Sequence, residues 1–260
     1  MRPWALVTGA SSGIGRELAL LAAADGHDLV LVARGGAILA TVAESLRARH
    51  GCTVIVLPMD LARRDAADAL ADELARRGVV PAFLANNAGV GAWGRHQDLE
   101  LAAELDVLDL NVVAATRLLK RLLPGMLARG SGRILNVAST AAFQAGPWMA
   151  VYYASKAYLL HYSEALAEEL AGSGVTVTAL CPGPTPTGFQ SASGMAPSRG
   201  LRGLVPHTDA ARVARAGYEA ARRGRRVVVP GLVNRLLVQA LRFVPRRVAN
   251  AVAARANRPA

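Results

Sequence analysis

Within Tyr152-Tyr153-Ala154-Ser155-Lys156 a phenol and an ammonium stand four residues apart. On a helix, Tyr152 and Lys156 would share a face. A free phenol titrates near ~10 and a free lysine near ~10.4. To move protons near neutral pH, the phenol must come down by roughly two to three units, or about 3–4 kcal/mol. A cation at ~4 Å in a partly desolvated site supplies about 4 kcal/mol, so Lys156 is sufficient in principle. The spacing leaves two matters open. Tyr153 lies three before Lys156 and could reach it too, and an exposed helix with an unconnected tyrosine and lysine reads the same.

A second candidate lies near the start. Gly9-Ala10-Ser11-Ser12-Gly13-Ile14-Gly15 stands between a strand-like run, Trp4 to Thr8, and a helical pattern at Leu18, Leu21 and Ala22. Gly9 permits a tight turn, Gly13 lets the backbone approach a pyrophosphate, and Gly15 lets the helix pack close to the strand. The helix start then points free N–H groups at the anion. The spacing is G-x-x-x-G-x-G, not G-x-G-x-x-G, and its weight comes from following the first strand directly. At the end of the second strand an acid would bind the ribose 2′-hydroxyl of NAD. Ala33-Arg34 stands there instead. A guanidinium suits a 2′-phosphate, worth roughly 1.5–3 kcal/mol, so NADP is favoured over NAD. A surface arginine at a strand end is the plain alternative.

The elements that would carry these groups alternate. Strands are expected at 4–8, 28–33, 53–57, 82–85, 133–138, 175–180 and 226–229. Helices are expected at 38–50, 65–77, 98–129 and 150–172, the last carrying the Tyr/Lys pair. The strands are apolar runs, as burial on both faces requires. The pattern predicts a single α/β domain of Rossmann type: a doubly wound parallel sheet of about seven strands with helices on both faces. Residues 1–230 would form the dinucleotide-binding catalytic domain, and 231–260 a basic amphipathic extension. Residues 182–206 form a long stretch rich in Pro, Gly and Ser, read as a substrate loop.

Composition narrows the class. The chain has 260 residues, 52% hydrophobic, enough for one sizeable core. Its net charge of +11 is uneven: ten arginines and no acid follow Glu219, leaving 20 basic and 19 acidic groups on residues 1–219. Two distant cysteines, Cys52 and Cys181, make no disulfide framework. The five histidines show no metal-ligand spacing, so no metal is expected. The first strand begins almost at once, leaving no room for a secretory signal. No apolar run reaches the ~18–20 residues of a spanning helix. A soluble cytoplasmic protein is expected.

Together, Thr8-Gly9-Ala10-Ser11-Ser12-Gly13-Ile14-Gly15, Asn86-Asn87-Ala88-Gly89, Ser139, Tyr152-x-x-x-Lys156 and Pro182-Gly183 resemble the short-chain dehydrogenase/reductase family, in order and spacing, to about residue 230. Met126-Leu127-Ala128-Arg129-Gly130 and the remainder are similar to its DltE-type ketone/aldehyde reductases. The resemblance implies that Tyr152, not Tyr153, gives a proton to a carbonyl oxygen as hydride arrives from NADPH. It implies that Ser139 hydrogen-bonds that oxygen, a helper of the oxyanion-hole kind. Lys156 would lower the Tyr152 pKa and hold the nicotinamide ribose, and Asn111 would anchor a water joining Lys156 to bulk. The implied cofactor contacts are Gly9, Ser11, Ser12, Gly13, Ile14, Gly15, Arg34, Asp60, Leu61, Asn87, Ala88, Gly89, Tyr152, Lys156, Pro182, Gly183, Thr185 and Thr187. Asp60 as a helix N-cap and Asn111 as an ordinary helix residue stay open. The family usually has an aliphatic residue where Thr185 stands, so that contact would be through the backbone.

Residues 90–97, 140–150 and 184–206 should set the substrate. Val90, Trp93, Phe143, Trp148, Met149, Phe189 and Met195 suggest an apolar pocket for a small carbonyl or alcohol. The resemblance implies a homodimer or homotetramer through the two long helices. The tail interleaves Leu232, Val233, Leu236, Leu237, Leu241 and Val244 with arginines, broken at Pro245 before a second piece at 248–256. It would pack on the body or a sister subunit, lie peripherally on an anionic membrane, or attract an acidic carrier. No aromatic-interleaved platform suits nucleic acid. Two other functions compete: a non-catalytic NADP-binding redox sensor or scaffold, and an NAD-linked alcohol dehydrogenase.

Overall fold

A computed structural model of the chain describes residues 2–189, 193–194 and 208–258. Strands β1 (Trp4–Thr8), β2 (Asp28–Ala33), β3 (Val54–Pro58), β4 (Pro81–Asn86), β5 (Gly132–Val137), β6 (Val175–Leu180) and β7 (Val227–Val228) form one parallel sheet, ordered β3-β2-β1-β4-β5-β6-β7. The boundaries expected for β1, β2 and β6 match, and β3, β4 and β5 differ by a residue at their ends. β7 is shorter than expected, reduced to the two residues that pair with Ala179 and Leu180.

The helices are α1 (Gly13–Ala24), α2 (Gly36–His50), α3 (Ala66–Arg76), α4 (Leu101–Leu108), α5 (Ala115–Ala128), α6 (Ala150–Glu169), α7 (Ala210–Arg222), α8 (Leu232–Ala240) and α9 (Arg246–Asn257). Successive side chains of a strand point to opposite faces, and the two cores follow that alternation. Ala5 and Val7 of β1 join Leu18, Leu39, Leu46, Val213 and Ala214 of α1, α2 and α7. Leu6 joins Leu70, Leu74, Leu118 and Leu122 of α3 and α5 on the other face. Arg117 and Arg121 of α5 bind Asp68 of α3 at 2.7 and 3.0 Å, and Arg121 also meets Asp72.

One expected element is interrupted. The long helix read at 98–129 is broken at Asp109–Ala114, which form a π turn between α4 and α5. Such turns insert a residue into the helical ladder and re-aim the side chains beside it. Asn111 lies in this turn and is buried.

Strand order reverses between β1 and β4, the neighbours that lie at positions one and four in the chain. In open parallel sheets, ligands bind beyond the carboxyl ends of the strands at such a switch point. Gly9–Gly15 leave β1 there, and Asn87–Gly89 leave β4.

Candidate active site

The glycine turn is held by residues that follow β4. The Thr8 hydroxyl donates to the Ala85 carbonyl at 3.2 Å and accepts from the N–H groups of Asn87 and Ala88, each at 3.0 Å. The Asn87 amide donates to the carbonyls of Thr8 and Gly9 at 2.9 and 3.2 Å. Asn87 therefore braces the turn as well as bordering it. A Cβ on Gly15 would stand 2.2 Å from the Gly9 carbonyl oxygen, so only glycine lets α1 start so close to β1. Gly13 has φ +53, and a Cβ there would meet the Thr187 methyl at 2.9 Å. Thr187 thus lies over the turn, joining the start and the middle of the chain.

This cradle fits a phosphate group. The first N–H groups of α1 have no intrahelical partner, and the side chain of its N-cap, Ser12, makes no capping bond. Arg34 follows β2, is exposed, and makes no ion pair among the described residues. The Asp60 carboxylate accepts from Ala62 N–H at 3.1 Å, closing a turn ahead of α3 rather than capping that helix. Leu61 beside it is buried in the α3 core. The residues needed for a dinucleotide are therefore present: a bare backbone turn, a helix start, an acid and a free guanidinium.

The reaction-centre candidates converge beyond β4, β5 and β6. Ser139 follows β5 by two residues; its hydroxyl accepts from Ala141 N–H at 3.1 Å and faces the Pro182 carbonyl at 3.5 Å. The Ser139 side chain stands close enough to the Tyr152 hydroxyl to favour its ionised form against burial. Lys156, one turn further along α6, is buried, and its Nζ donates to the Val137 carbonyl at 2.8 Å. That ammonium lies 5.8 Å from the centre of the Tyr152 ring. A Cβ on Gly89 would be 3.1 Å from Asn111 Oδ1 and 3.3 Å from Lys156 Nζ, so the backbone after β4 passes close to both.

Asn111 is more than an ordinary helix residue. Its Oδ1 accepts from Val90 N–H at 3.0 Å, and its Nδ2 donates to Val90 O at 2.9 Å and to Ser155 Oγ at 3.0 Å. Ser155 Oγ in turn donates to the Tyr152 carbonyl at 2.7 Å. The π turn aims Asn111 at this position, where it ties the loop after β4 to the turn of α6 that carries Tyr152. Both amide donors are used within the protein.

The electrostatics differ from the expectation in one respect. Burial raises the Tyr152 phenol well above its ordinary value; the Ser139 side chain opposes this and Tyr153 adds to it. Burial also brings the Lys156 ammonium down to about 8. The expected lowering of the phenol by Lys156 is thus outweighed, because desolvation disfavours both charged forms and the ammonium is turned to a carbonyl rather than to the hydroxyl. Burial likewise pushes the Cys181 thiol up to about 12, which leaves it inert.

The surroundings of Tyr152 beyond Ser139 and Lys156 are apolar and tie in the C-terminal helix. The Phe189 ring packs 5.2 Å from that of Tyr152. Phe189, Ser193 and Met149 all reach the open side of Gly91, at 3.0, 3.0 and 3.2 Å from where a Cβ would be. Trp148 has φ 71 and carries Arg95 over its ring at 5.1 Å. Met195 lies outside the described residues. Asn257, at the end of α9, is the residue that the sequence did not disclose. Its carbonyl accepts from Trp93 Nε1 at 2.8 Å, and its amide donates to Pro147 O at 3.0 Å and to the Tyr153 hydroxyl at 3.1 Å. A Cβ on Gly146 would stand 2.2 Å from the Tyr153 ring, so Tyr153 is held flat against that loop. The two phenols therefore have different neighbours: Tyr152 has Ser139 and Lys156, and Tyr153 has Asn257. Thr185 accounts for its hydroxyl by donating to Gly183 O at 3.0 Å, and Gly183 itself packs under Asn234 of α8. Among the described residues, no cluster of His, Cys, Asp or Glu could hold a metal.

Comparison with known proteins follows the same outline. A family model described as short chain dehydrogenase matches residues 3–196. Ketoacyl reductase HetN of Nostoc sp. is 37% identical over 179 residues, which are 68% of this chain and 62% of that protein. A very-long-chain 3-oxoacyl-CoA reductase of Aspergillus clavatus is 34% identical over 67% of this chain and 51% of its own length. The match thus spans little more than half of these curated relatives. Among solved structures, a short-chain dehydrogenase from Sphingobium yanoikuyae in complex with NADPH superposes with a TM-score of 0.83 at 32% identity, covering 95% of this chain and 94% of that one. A short chain dehydrogenase/reductase from Burkholderia phymatum in complex with NAD gives 0.80 at 29% identity, covering 93% and 92%.

Proposed function

The chain belongs to the short-chain dehydrogenase/reductase family, and we propose that it is an NADPH-dependent reductase of apolar ketones or 3-oxoacyl compounds with Tyr152 as its proton donor. The observation that carries the reading is the convergence of Ser139, Tyr152 and Lys156 beside Gly89, in the loop whose Asn87 braces the glycine turn. A protein that only sensed or stored the cofactor would need no such phenol.

The glycine turn, Arg34, Asp60, Asn87 to Gly89, Thr185 and Thr187 would hold the dinucleotide, which when bound supplies the hydride. Arg34 is the basis for preferring NADPH, since its exposed guanidinium has no competing ion pair among the described residues. The chain's own residues handle the proton. Ser139 Oγ orients the substrate oxygen by a hydrogen bond. Tyr152 Oη gives its proton to that oxygen. Tyr152 is in its acid form in this state, and the positive charge of Lys156 beside its ring has to offset the burial for that proton to be released. Lys156 holds its ammonium beside the ring, and Asn111 and Ser155 fix the helix turn from which Tyr152 projects.

Phe189 and Met149 supply an apolar wall, which suits a bulky or acyl-bearing carbonyl substrate. Ketoacyl reductases among the relatives support the same class. The test is a panel of ketones, aldehydes and 3-oxoacyl thioesters followed by NADPH oxidation. Turnover of the bulky members, lost in Tyr152→Phe, is expected. Cofactor binding without turnover of any member would favour the sensor reading.

Exposed Leu101, Leu105 and Leu108 along α4, with Tyr158 on α6, support association through these helices into a homodimer or homotetramer. Light scattering after size exclusion measures this, and a monomer at working concentration would remove it.

A further inference from the structure

The two C-terminal helices turn their larger apolar side chains outward. Helix α8 buries Asn234 and Val238, whereas Leu232 is 68% exposed and Leu236 60% exposed. Leu232, Arg235, Leu236 and Gln239 follow the i, i+3, i+4, i+7 spacing of a single face. The turn after α8 carries Phe243 at 86% exposure. Helix α9 repeats the arrangement: it buries the small Ala249 and Ala253 and exposes Val248 and Val252. Packing on the body thus explains only the thin inner stripe of each helix.

Charge indicates what covers the outer stripe. Arg235, Arg242, Arg246, Arg247 and Arg255 are exposed beside these residues, and no carboxylate follows Glu219. At the start of α8 a groove of about 470 Å³ is lined by Arg212, Arg223, Arg225 and Arg235, with Glu219 as its one acid. A closed two-fold contact with a second copy would place this face against itself. It would then oppose arginine to arginine without a carboxylate between them.

We propose that the outer face of α8 and α9 is a docking surface for an anionic lipid bilayer. Leu232, Leu236, Phe243, Val248 and Val252 enter the boundary between headgroups and acyl chains, and the arginines pair with lipid phosphates. No helix of the described residues is long and apolar enough to cross a membrane, so this attachment is peripheral. The opposite end of α9 meets Tyr153 and Trp93 through Asn257, which joins the docking surface to the substrate side of the site.

The test is sedimentation of the full chain, with NADPH, on vesicles of phosphatidylcholine alone or mixed with phosphatidylglycerol. Binding is expected only to the mixed vesicles and should fall as salt is raised. Leu236→Gln with Phe243→Gln should weaken it about tenfold or more. Arg242→Gln and Arg246→Gln should each weaken it about fivefold. These side chains are exposed, so an unchanged melting temperature should accompany the loss. Three results would overturn the proposal: no binding to mixed vesicles, equal binding by the Leu236/Phe243 variant, or conversion of that variant from dimer to monomer without any vesicle binding by the parent. The last would assign the face to contact between copies.

Discussion

The ammonium of Lys156 lies beside the Tyr152 ring, 5.8 Å from its centre, while its proton is given to the Val137 carbonyl at 2.8 Å. Lysine is rare here: Lys120, which is exposed, is the only other one among 30 basic residues. Arginine in the position of Lys156 could not give up its charge, whereas burial brings the lysine down to about 8.

That shift has a signature in stability. A lysine whose folded pKa lies below its unfolded value burdens the fold while charged and is relieved as pH rises through the folded value. The Lys156 contribution to stability should therefore increase from pH ~8 towards pH ~10, by an amount on the order of 2–3 kcal/mol. The raised Cys181 thiol from pH ~9, and the raised phenols of Tyr152 and Tyr218 from pH ~10, act with the opposite sign, because the unfolded chain loses those protons first. Urea unfolding of the parent and of Lys156→Met isolates the lysine. The parent should gain stability relative to the variant across pH ~8 to ~10; parallel curves would refute the assignment.

The two adjacent phenols should respond differently to loss of the hydroxyl. Tyr152→Phe should lower turnover by roughly 10²–10⁴-fold, the usual worth of a positioned acid, with NADPH still bound. Tyr153→Phe should keep much of the activity and lose about 1 kcal/mol of stability from its bond with Asn257. Steady-state kinetics with fluorescence titration of NADPH separates the two. The reverse ranking would show that the wrong phenol has been chosen.

The proposed preference for NADPH rests on Arg34. Replacing it by glutamate should weaken NADPH by roughly 1.5–3 kcal/mol and leave NADH equal or better. Calorimetric titration with both nucleotides decides, and an unchanged preference would remove Arg34 from the cofactor site.

The contact between α9 and the substrate side can be opened from either partner. Asn257→Ala removes the bonds to Pro147 and Tyr153, and Gly146→Ala forces the Tyr153 ring away. Both should raise KM for a bulky substrate several-fold and speed amide exchange in 246–257, with NADPH affinity unchanged. The expected stability cost of Asn257→Ala is about 1–3 kcal/mol. Unaltered KM in both variants would mean that α9 has no part in substrate binding.

The sheet and the phosphate cradle were legible because their signals are local. Apolar runs such as Asp28 to Ala33 and Val175 to Leu180 carry the strands, and the glycines need only their own turn to be explained. Thr187 was assigned to the cofactor site by family resemblance alone. Three features escaped. The π turn at Asp109–Ala114 leaves no mark on a 3.6-residue pattern, since the buried positions Glu104, Val107, Asn111, Ala114 and Leu118 keep spacings of three and four across it. Asn257 meets Trp93 from 164 residues away, and nothing near either residue announces the contact. The raised phenol of Tyr152 depends on how deeply the loops cover it, which a spacing of four cannot express.

The π turn also constrains how this chain tolerates change in length. It holds one residue more than a regular turn and absorbs it locally, so Glu104 and Val107 before it and Leu118 after it are all buried. Deleting one residue between Asp109 and Ala114 would close the segment into an unbroken helix without turning α4 or α5. It would remove the widened turn that presents the Asn111 amide to Val90 and Ser155. A shorter chain here would thus keep the core and lose the brace.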